Sequence, residues 1–233
     1  MQPHSLSHYL RALFGLAATL SFCGAAVAQQ DDIVIGMSLP LSGFNAAAGQ
    51  EGLAVAKAAF AALNAEGGIQ GRKVSIVALD DGFVAAKAAE NAKTLEAQGA
   101  IALFNCWGTG ACSSMMTVVK EKQIPMVSGI AGGGPMRSEP GRYAFNVRPT
   151  TADEINRMVK QMTTVGQNRI AVIFQDDPFG KSGQSAAQAV FQKANLKPAA
   201  EIAIAPDGSN AAASVEQLQK SGANGAIVVA SPK

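Results

Sequence analysis

Histidine is missing from this chain beyond residue 28, because its 2 histidines, His4 and His8, both lie close to the N-terminus. A chain body without imidazole lacks the commonest general base. Charge is sparse as well: 15% of residues are charged, and 19 basic side chains nearly cancel 17 acidic ones. No basic stripe exists to follow a phosphate backbone, so nucleic acid is not the expected partner. Nucleophile elbow, Walker loop, metal-spaced histidine pair and complete dinucleotide fingerprint are all absent. Asp80-Asp81 and Asp176-Asp177 do follow apolar runs, but the first pair reads as solvated turn residues that cap the next helix. Catalysis is the weakest reading, and no cofactor is required.

Long apolar runs are also missing after residue 28, so nothing there matches the length of a membrane span. Residues 1–28 are different. Arg11 supplies the positive charge, an uncharged apolar stretch runs from Ala12 to Ala28, and Ala26-Val27-Ala28 is a small-x-small cleavage pattern. This is an export signal with a mature start at Gln29 and a destination in the periplasm. The alternatives are an uncleaved anchor, for which the run is short, or a lipoprotein signal at Cys23, where Phe22 is bulky for the preceding position. Cleavage removes one arginine and no acid, which lowers the formal charge from +2 to +1.

What remains alternates between strand and helix. Ile33–Met37, Val74–Leu79, Ala100–Phe104 and Pro125–Val127 are apolar without polar alternation, the mark of parallel strands buried on both faces. Helical segments fall at Ala46–Ala65, Ala85–Gln98 and Ser113–Lys122, with Gly67-Gly68 and Gly99 as stops. A second series follows: helix 152–165, strand Arg169–Phe174, helix 182–195, strand Ala200–Ile204, helix 210–221 and strand Ala226–Ala230. Right-handed crossovers wind each series into a parallel sheet with helices on both faces. The break falls at NVRPT, residues 146–150, where Pro149 extends the backbone and Thr151 offers a helix cap. Arg148 is expected to brace this crossover rather than reach a ligand.

Ile33 to Arg72, reading IVIGMSLPLSG, an alanine-rich helix and LNAEGGIQGRK, resembles the start of the periplasmic substrate-binding proteins of ABC transporters. The branch is the one containing leucine/isoleucine/valine-binding proteins. The resemblance extends to the last residue and implies a type I fold of two doubly wound α/β lobes. Residues 29–148 make lobe one and 149–233 make lobe two. Chains of that family continue past the position of Lys233, so the second lobe is expected to be incomplete and the cleft only partly walled.

Three glycine-rich loops converge at the strand carboxyl ends of lobe one, where open α/β sheets hold ligands. They carry Ser42, Asn45 and Ala48; Cys106, Trp107, Gly108, Thr109, Gly110 and Ala111; and Ser128, Ala131 and Gly132. Taken alone, such glycines equally suit tight turns. In the family the second loop holds a ligand carboxylate through a hydroxyl and backbone amides, which implies Thr109, Gly110 and Ala111 here. Gly132 replaces the family's hydroxyl residue, which weakens the case for α-amino recognition. Trp107 is either an aromatic wall or a packing residue. QDDPFGK, residues 175–181, matches a loop whose aromatic covers the ligand, placing Phe179 there. Cys106 and Cys112 are the only cysteines left after cleavage, and an oxidising compartment favours a disulfide over two thiols. The function implied is a monomeric solute receptor that binds an amino acid or other small carboxylate and presents it to ABC permease subunits. A sensor domain for a membrane receptor is the alternative, and a hydrolase-like enzyme the third choice.

Overall fold

The computed structural model describes residues 31–43, 45–133, 136 and 141–231. The export segment read over residues 1–28 lies outside the described residues, as do Phe44, Gly134 and Lys233. Among the described residues no helix is long and apolar enough to cross a membrane.

Five strands form the first sheet: β1 (Ile33–Leu39), β2 (Val74–Asp80), β3 (Ala102–Phe104), β4 (Met126–Val127) and β5 (Ala144–Phe145). Their order is β2-β1-β3-β4-β5 and every pairing is parallel. The two-residue strand β5 was not foreseen; Ala144-Phe145 is too short to carry a period. Three helices return the chain between strands: α1 (Ala46–Ala65), α2 (Ala85–Ala97) and α3 (Thr109–Lys122).

Alternate residues of each strand point to opposite faces, which sorts the core into two layers. On one face Val34, Val77, Leu79, Leu103 and Met126 pack with Leu95 of α2 and with Met115 and Val119 of α3. On the other, Met37, Leu39, Ile76, Ala78 and Phe104 meet Ala56 and Leu53 of α1. Each fully buried leucine or methionine contributes roughly 1.5–3 kcal/mol. Gly36 lets α2 approach β1, since a Cβ there would lie 3.0 Å from the Leu95 Cβ. Asn64 near the end of α1 fastens the start of β2, accepting from Val74 N–H and donating to Val74 C=O, each at 2.8 Å.

The second sheet has the order β7-β6-β8, built from β6 (Ile170–Gln175), β7 (Glu201–Ile204) and β8 (Gly225–Val229), again all parallel. Helices α4 (Thr151–Thr164), α5 (Pro178–Lys193) and α6 (Ala211–Lys220) accompany it. Every residue of the central strand β6 is buried. Ile155 and Val159 of α4 and Ala187, Val190 and Phe191 of α5 cover one face. The edge strand β8 turns Val228 outward, 58% exposed.

Four expectations need correction. The cap of α4 is Thr150, whose Oγ1 accepts from Asp153 N–H at 3.0 Å in a reciprocal capping box, and Thr151 is the buried first helical residue. Helix α3 starts at Thr109, four residues before the expected Ser113, and α5 starts at Pro178 rather than 182. In α5 the Asp177-Pro178 pair supplies the cap and the pre-set φ of a first helical residue. Asp81, read as a solvated capping residue, is fully buried, and helix α2 has Val84 at its cap position with no side-chain bond. Arg148 does brace the crossover, donating from Nη2 to Glu154 Oε1 at 2.9 Å in the first turn of α4.

Candidate functional site

A cavity of about 590 Å³ lies where the loops of the two sheets face each other. Phe83 and Ala85 reach it after β2, Thr109, Gly110 and Ala111 after β3, Gln175 at the end of β6 with Asp177, Pro178 and Phe179 beyond it, and Pro206 and Asp207 after β7. All four segments leave the carboxyl ends of parallel strands, the position at which open α/β sheets bind ligands.

The loop before α3 is held from several sides. A disulfide joins Cys106 to Cys112 with a Cα–Cα separation of 5.5 Å. Gly108 N–H donates to Ile130 C=O at 3.1 Å, and Ile130 N–H donates back to Cys106 C=O at 2.8 Å. Gly108 has φ +87°, and a Cβ there would come within 2.6 Å of the Phe83 ring. Glycine is therefore required twice, by conformation and by space. The helix begins without any side-chain cap, so its first N–H groups have no intrahelical acceptor. Thr109 sits in this opening, only 4% exposed, and its Oγ1 has no hydrogen-bond partner. A buried hydroxyl left so costs about 1–3 kcal/mol.

Across the cavity the N-terminus of α5 is closed. Asp177 Oδ1 accepts from Gly180 N–H at 2.8 Å, and Oδ2 accepts from Gln175 Nε2 at 2.7 Å. Gln175 Oε1 in turn accepts from Ser231 N–H at 3.0 Å.

The sequence-predicted residues divide. Thr109, Gly110, Ala111 and Phe179 line this cavity together. Trp107 and Ala48 instead line a second cavity of about 560 Å³ beside α1, with Val55, Phe60, Phe104 and Asn105. Ser42 is exposed and donates its hydroxyl to Asp80 Oδ2 at 2.5 Å. That bond, with the Gly82, Leu41 and Ser42 amides, brings the Asp80 carboxyl down to about 2. Burial instead raises Asp81, whose Oδ2 accepts from Ser38 Oγ at 2.8 Å and whose Oδ1 accepts from Phe83 N–H at 2.8 Å. The acid pair thus shapes the turn that carries Phe83 into the cavity. Asn45 precedes α1 as its cap residue, with no side-chain cap bond, away from the cavity lining.

The third loop is filled by its neighbours. A Cβ on Gly129 would lie 2.7 Å from Met136 Cε and 3.0 Å from Cys106 Sγ. At Gly132 it would lie 2.4 Å from Thr151 Oγ1, and at Gly133 2.0 Å from Ser182 Oγ. Thr151 N–H donates to Gly132 C=O at 2.7 Å. Ser128, Ala131 and Gly132 are absent from the cavity lining; here Gly132 and Gly133 admit side chains of α4 and α5. Phe83, Ala85, Gln175, Asp177, Pro178, Pro206 and Asp207 line the cavity without having been singled out. Their common signal is position, immediately after an apolar strand.

The model of a family described as periplasmic binding protein matches residues 32–233. The chain belongs to that family. Leu/Ile/Val-binding protein homolog 3 of Brucella melitensis biotype 1 is 26% identical over 208 residues, covering 89% of this chain and 56% of the relative. A substrate-binding periplasmic protein from Ralstonia solanacearum superimposes with a TM-score of 0.78 at 27% identity, over 86% of this chain and 57% of that one. An extracellular ligand-binding receptor from Verminephrobacter eiseniae gives 0.77 at 28% identity, over 86% and 58%. The chain thus spans a little over half the length of these relatives, and its α/β fold of parallel sheets is theirs.

Proposed function

We propose that the protein is an extracytoplasmic solute receptor of an ABC importer, with lobe one at 29–148 and lobe two at 149–233. It binds an amino acid or other small carboxylate-bearing solute between the lobes. The observation that carries this reading is the unpartnered Thr109 hydroxyl at the uncapped N-terminus of α3, facing the interlobe cavity. A carboxylate there accepts from Thr109 Oγ1 and from the Gly110 and Ala111 amides, and the helix dipole favours its charge. Phe179 and Phe83 supply apolar contact. No bond is made or broken; binding favours the closed arrangement of the lobes, which permease subunits then recognise. Export by the signal at residues 1–28 delivers the receptor to the periplasm. Membership of the periplasmic binding protein family and the relative described as Leu/Ile/Val-binding both support this reading.

The test is calorimetry of the purified chain with a panel of small acids and amino acids, repeated with Thr109→Val. The variant keeps the shape and removes the hydroxyl, so affinity falls by ~1–3 kcal/mol, the worth of a hydrogen bond to a charged group. Unchanged affinity for the bound solute removes Thr109 from the site.

A further inference from the structure

The C-terminal turns of α4 and α5 leave a crevice of about 500 Å³ between them, with Val159, Val190 and Leu196 in its lining. Val159 and Val190 are buried and belong to the core that the two helices share. Lys160 of α4 and Lys193 of α5 line the same crevice, together with Asn156 and Asn168. Among the described residues no carboxylate does. Among those residues, too, neither lysine has an ion-pair partner and neither asparagine side chain has a hydrogen-bond partner, whereas Lys181 and Lys220 each meet an acid. The crevice is separate from the interlobe cavity. Helix α5 runs from Pro178, which lines that cavity, to Lys193, so roughly 22 Å of helix lies between the two.

A cation in the last turn of a helix complements its dipole, which accounts for Lys193. It does not account for Lys160, since α4 has no basic residue in its last turn and carries its first-turn acids, Asp153 and Glu154, at the other end. Two ammonium groups on one crevice without a counter-ion repel each other, and an anion between them removes that cost. We infer that the crevice binds an amphiphile with a phosphate monoester head. Lys160 and Lys193 hold the head, Asn156 and Asn168 donate to its remaining oxygens, and a short alkyl chain lies over Val159, Val190 and Leu196. A phosphate monoester carries a charge of about −1.5 to −2 near neutral pH, which two lysines match and a carboxylate does not. Lysine binds phosphate as a point charge, and the asparagine amides supply further donors. Arg157 shares a second depression on α4 with Lys160 and adds to the positive potential there. The volume falls within the range of small-molecule sites. Nothing in this inference depends on Thr109.

Calorimetry of the full chain with octyl phosphate tests it, with inorganic phosphate as the head alone and octyl glucoside as the tail alone. Octyl phosphate binds, and each half-ligand binds about tenfold or more weakly, the scale of one charge-assisted hydrogen bond. The double variant Lys160→Gln, Lys193→Gln lowers the affinity for octyl phosphate by about tenfold or more. Ala194→Trp, which fills the crevice from an exposed position, does the same with both lysines kept. Thr109→Val leaves it unchanged, and circular dichroism melting checks that all the variants fold. Pelleting with phosphatidylcholine vesicles that carry phosphatidic acid then assigns the source. Lysine-dependent pelleting makes it a bilayer lipid and no pelleting makes it a free amphiphile, and either result upholds the site. No binding of octyl phosphate overturns the inference, as does equal binding of either half-ligand. Binding that persists in the folded lysine and Ala194→Trp variants, or that is lost in Thr109→Val, places the amphiphile elsewhere and also overturns it.

Discussion

Two helices of similar length, α3 and α5, point their N-termini into one cavity, and they end differently. The α5 terminus is closed by its own Asp177 carboxylate. The α3 terminus is capped by no side chain and holds a buried hydroxyl without a partner. Both carry the same half-charge of aligned peptide dipoles. The difference teaches that the α5 terminus is completed from within, whereas that of α3 has no side-chain cap of its own. The open end is also the better fastened, by a disulfide and by paired bonds to Ile130. A terminus without a cap needs such outside support to keep its shape.

The largest expected effect comes from disturbing the closed end. Gly180→Ala would put a Cβ 1.9 Å from the Gln175 carbonyl oxygen, where neither backbone can yield easily. We expect a loss of roughly 3 kcal/mol in urea unfolding, at the upper end of overpacking costs. Next comes the fastening of the open end. Replacing Cys106 and Cys112 by alanine releases a loop of 6 residues in sequence separation. The loss in unfolding free energy is about 2 kcal/mol on the chain-entropy estimate, together with weaker solute binding as the loop loosens.

The sharpest contrast is one of sign. Asp177→Ala removes an N-cap and costs the fold about 1 kcal/mol. Thr109→Val removes a buried, unsatisfied hydroxyl, so it leaves ligand-free stability unchanged or raises it by up to about 1 kcal/mol while affinity falls. Parallel melts and titrations of the two variants separate these outcomes. Equal destabilisation by both would show that the α3 terminus is no more open than that of α5.

How much of this could be read beforehand depends on which interaction decides each feature. Apart from β5, the strands of both sheets and the helix stops at Gly67-Gly68 and Gly99 follow from local pattern, and the structure has them within a residue or two. The start of α3 does not, because Thr-Gly-Ala-Cys is poor helix sequence and the turn is held by contacts to β4's loop and by the disulfide. Asp177-Pro178 did carry a start signal, masked by Gly180 and Gly183, which weaken any helical reading. Gly180 is tolerated because it lies against Gln175, and Gly183 because it lies against Val229. The loop that brings Thr109, Gly110 and Ala111 to the cavity was legible through its glycines. The destinations of Ser42, Trp107 and Gly132 were not, since each is set by a residue distant in sequence: Asp80 for Ser42, Gly52 of α1 for Trp107, and Thr151 for Gly132.

The smallest effect concerns acid. The Asp80 carboxyl at about 2 lies below its ordinary 3.8, so the unfolded chain takes up the proton first. Its contribution is complete above the unfolded value and is lost as pH falls from 3.8 through about 2. Asp81, raised by burial, works in the opposite sense, holding its proton more tightly when folded. Asp80→Asn should therefore flatten the fall in melting temperature across that acid window, and an unchanged slope would exclude Asp80 as its source.

The central claim is that the open end of α3 receives the solute's carboxylate. Backbone amide NMR of the labelled chain, titrated with the tightest-binding acid found by calorimetry, reports on it directly. The account predicts saturable downfield shifts at the Gly110 and Ala111 amides, with the Phe179 and Gly180 amides of the closed terminus moving far less. Saturable binding that leaves Gly110 and Ala111 unmoved, or that moves Gly180 instead, would contradict it.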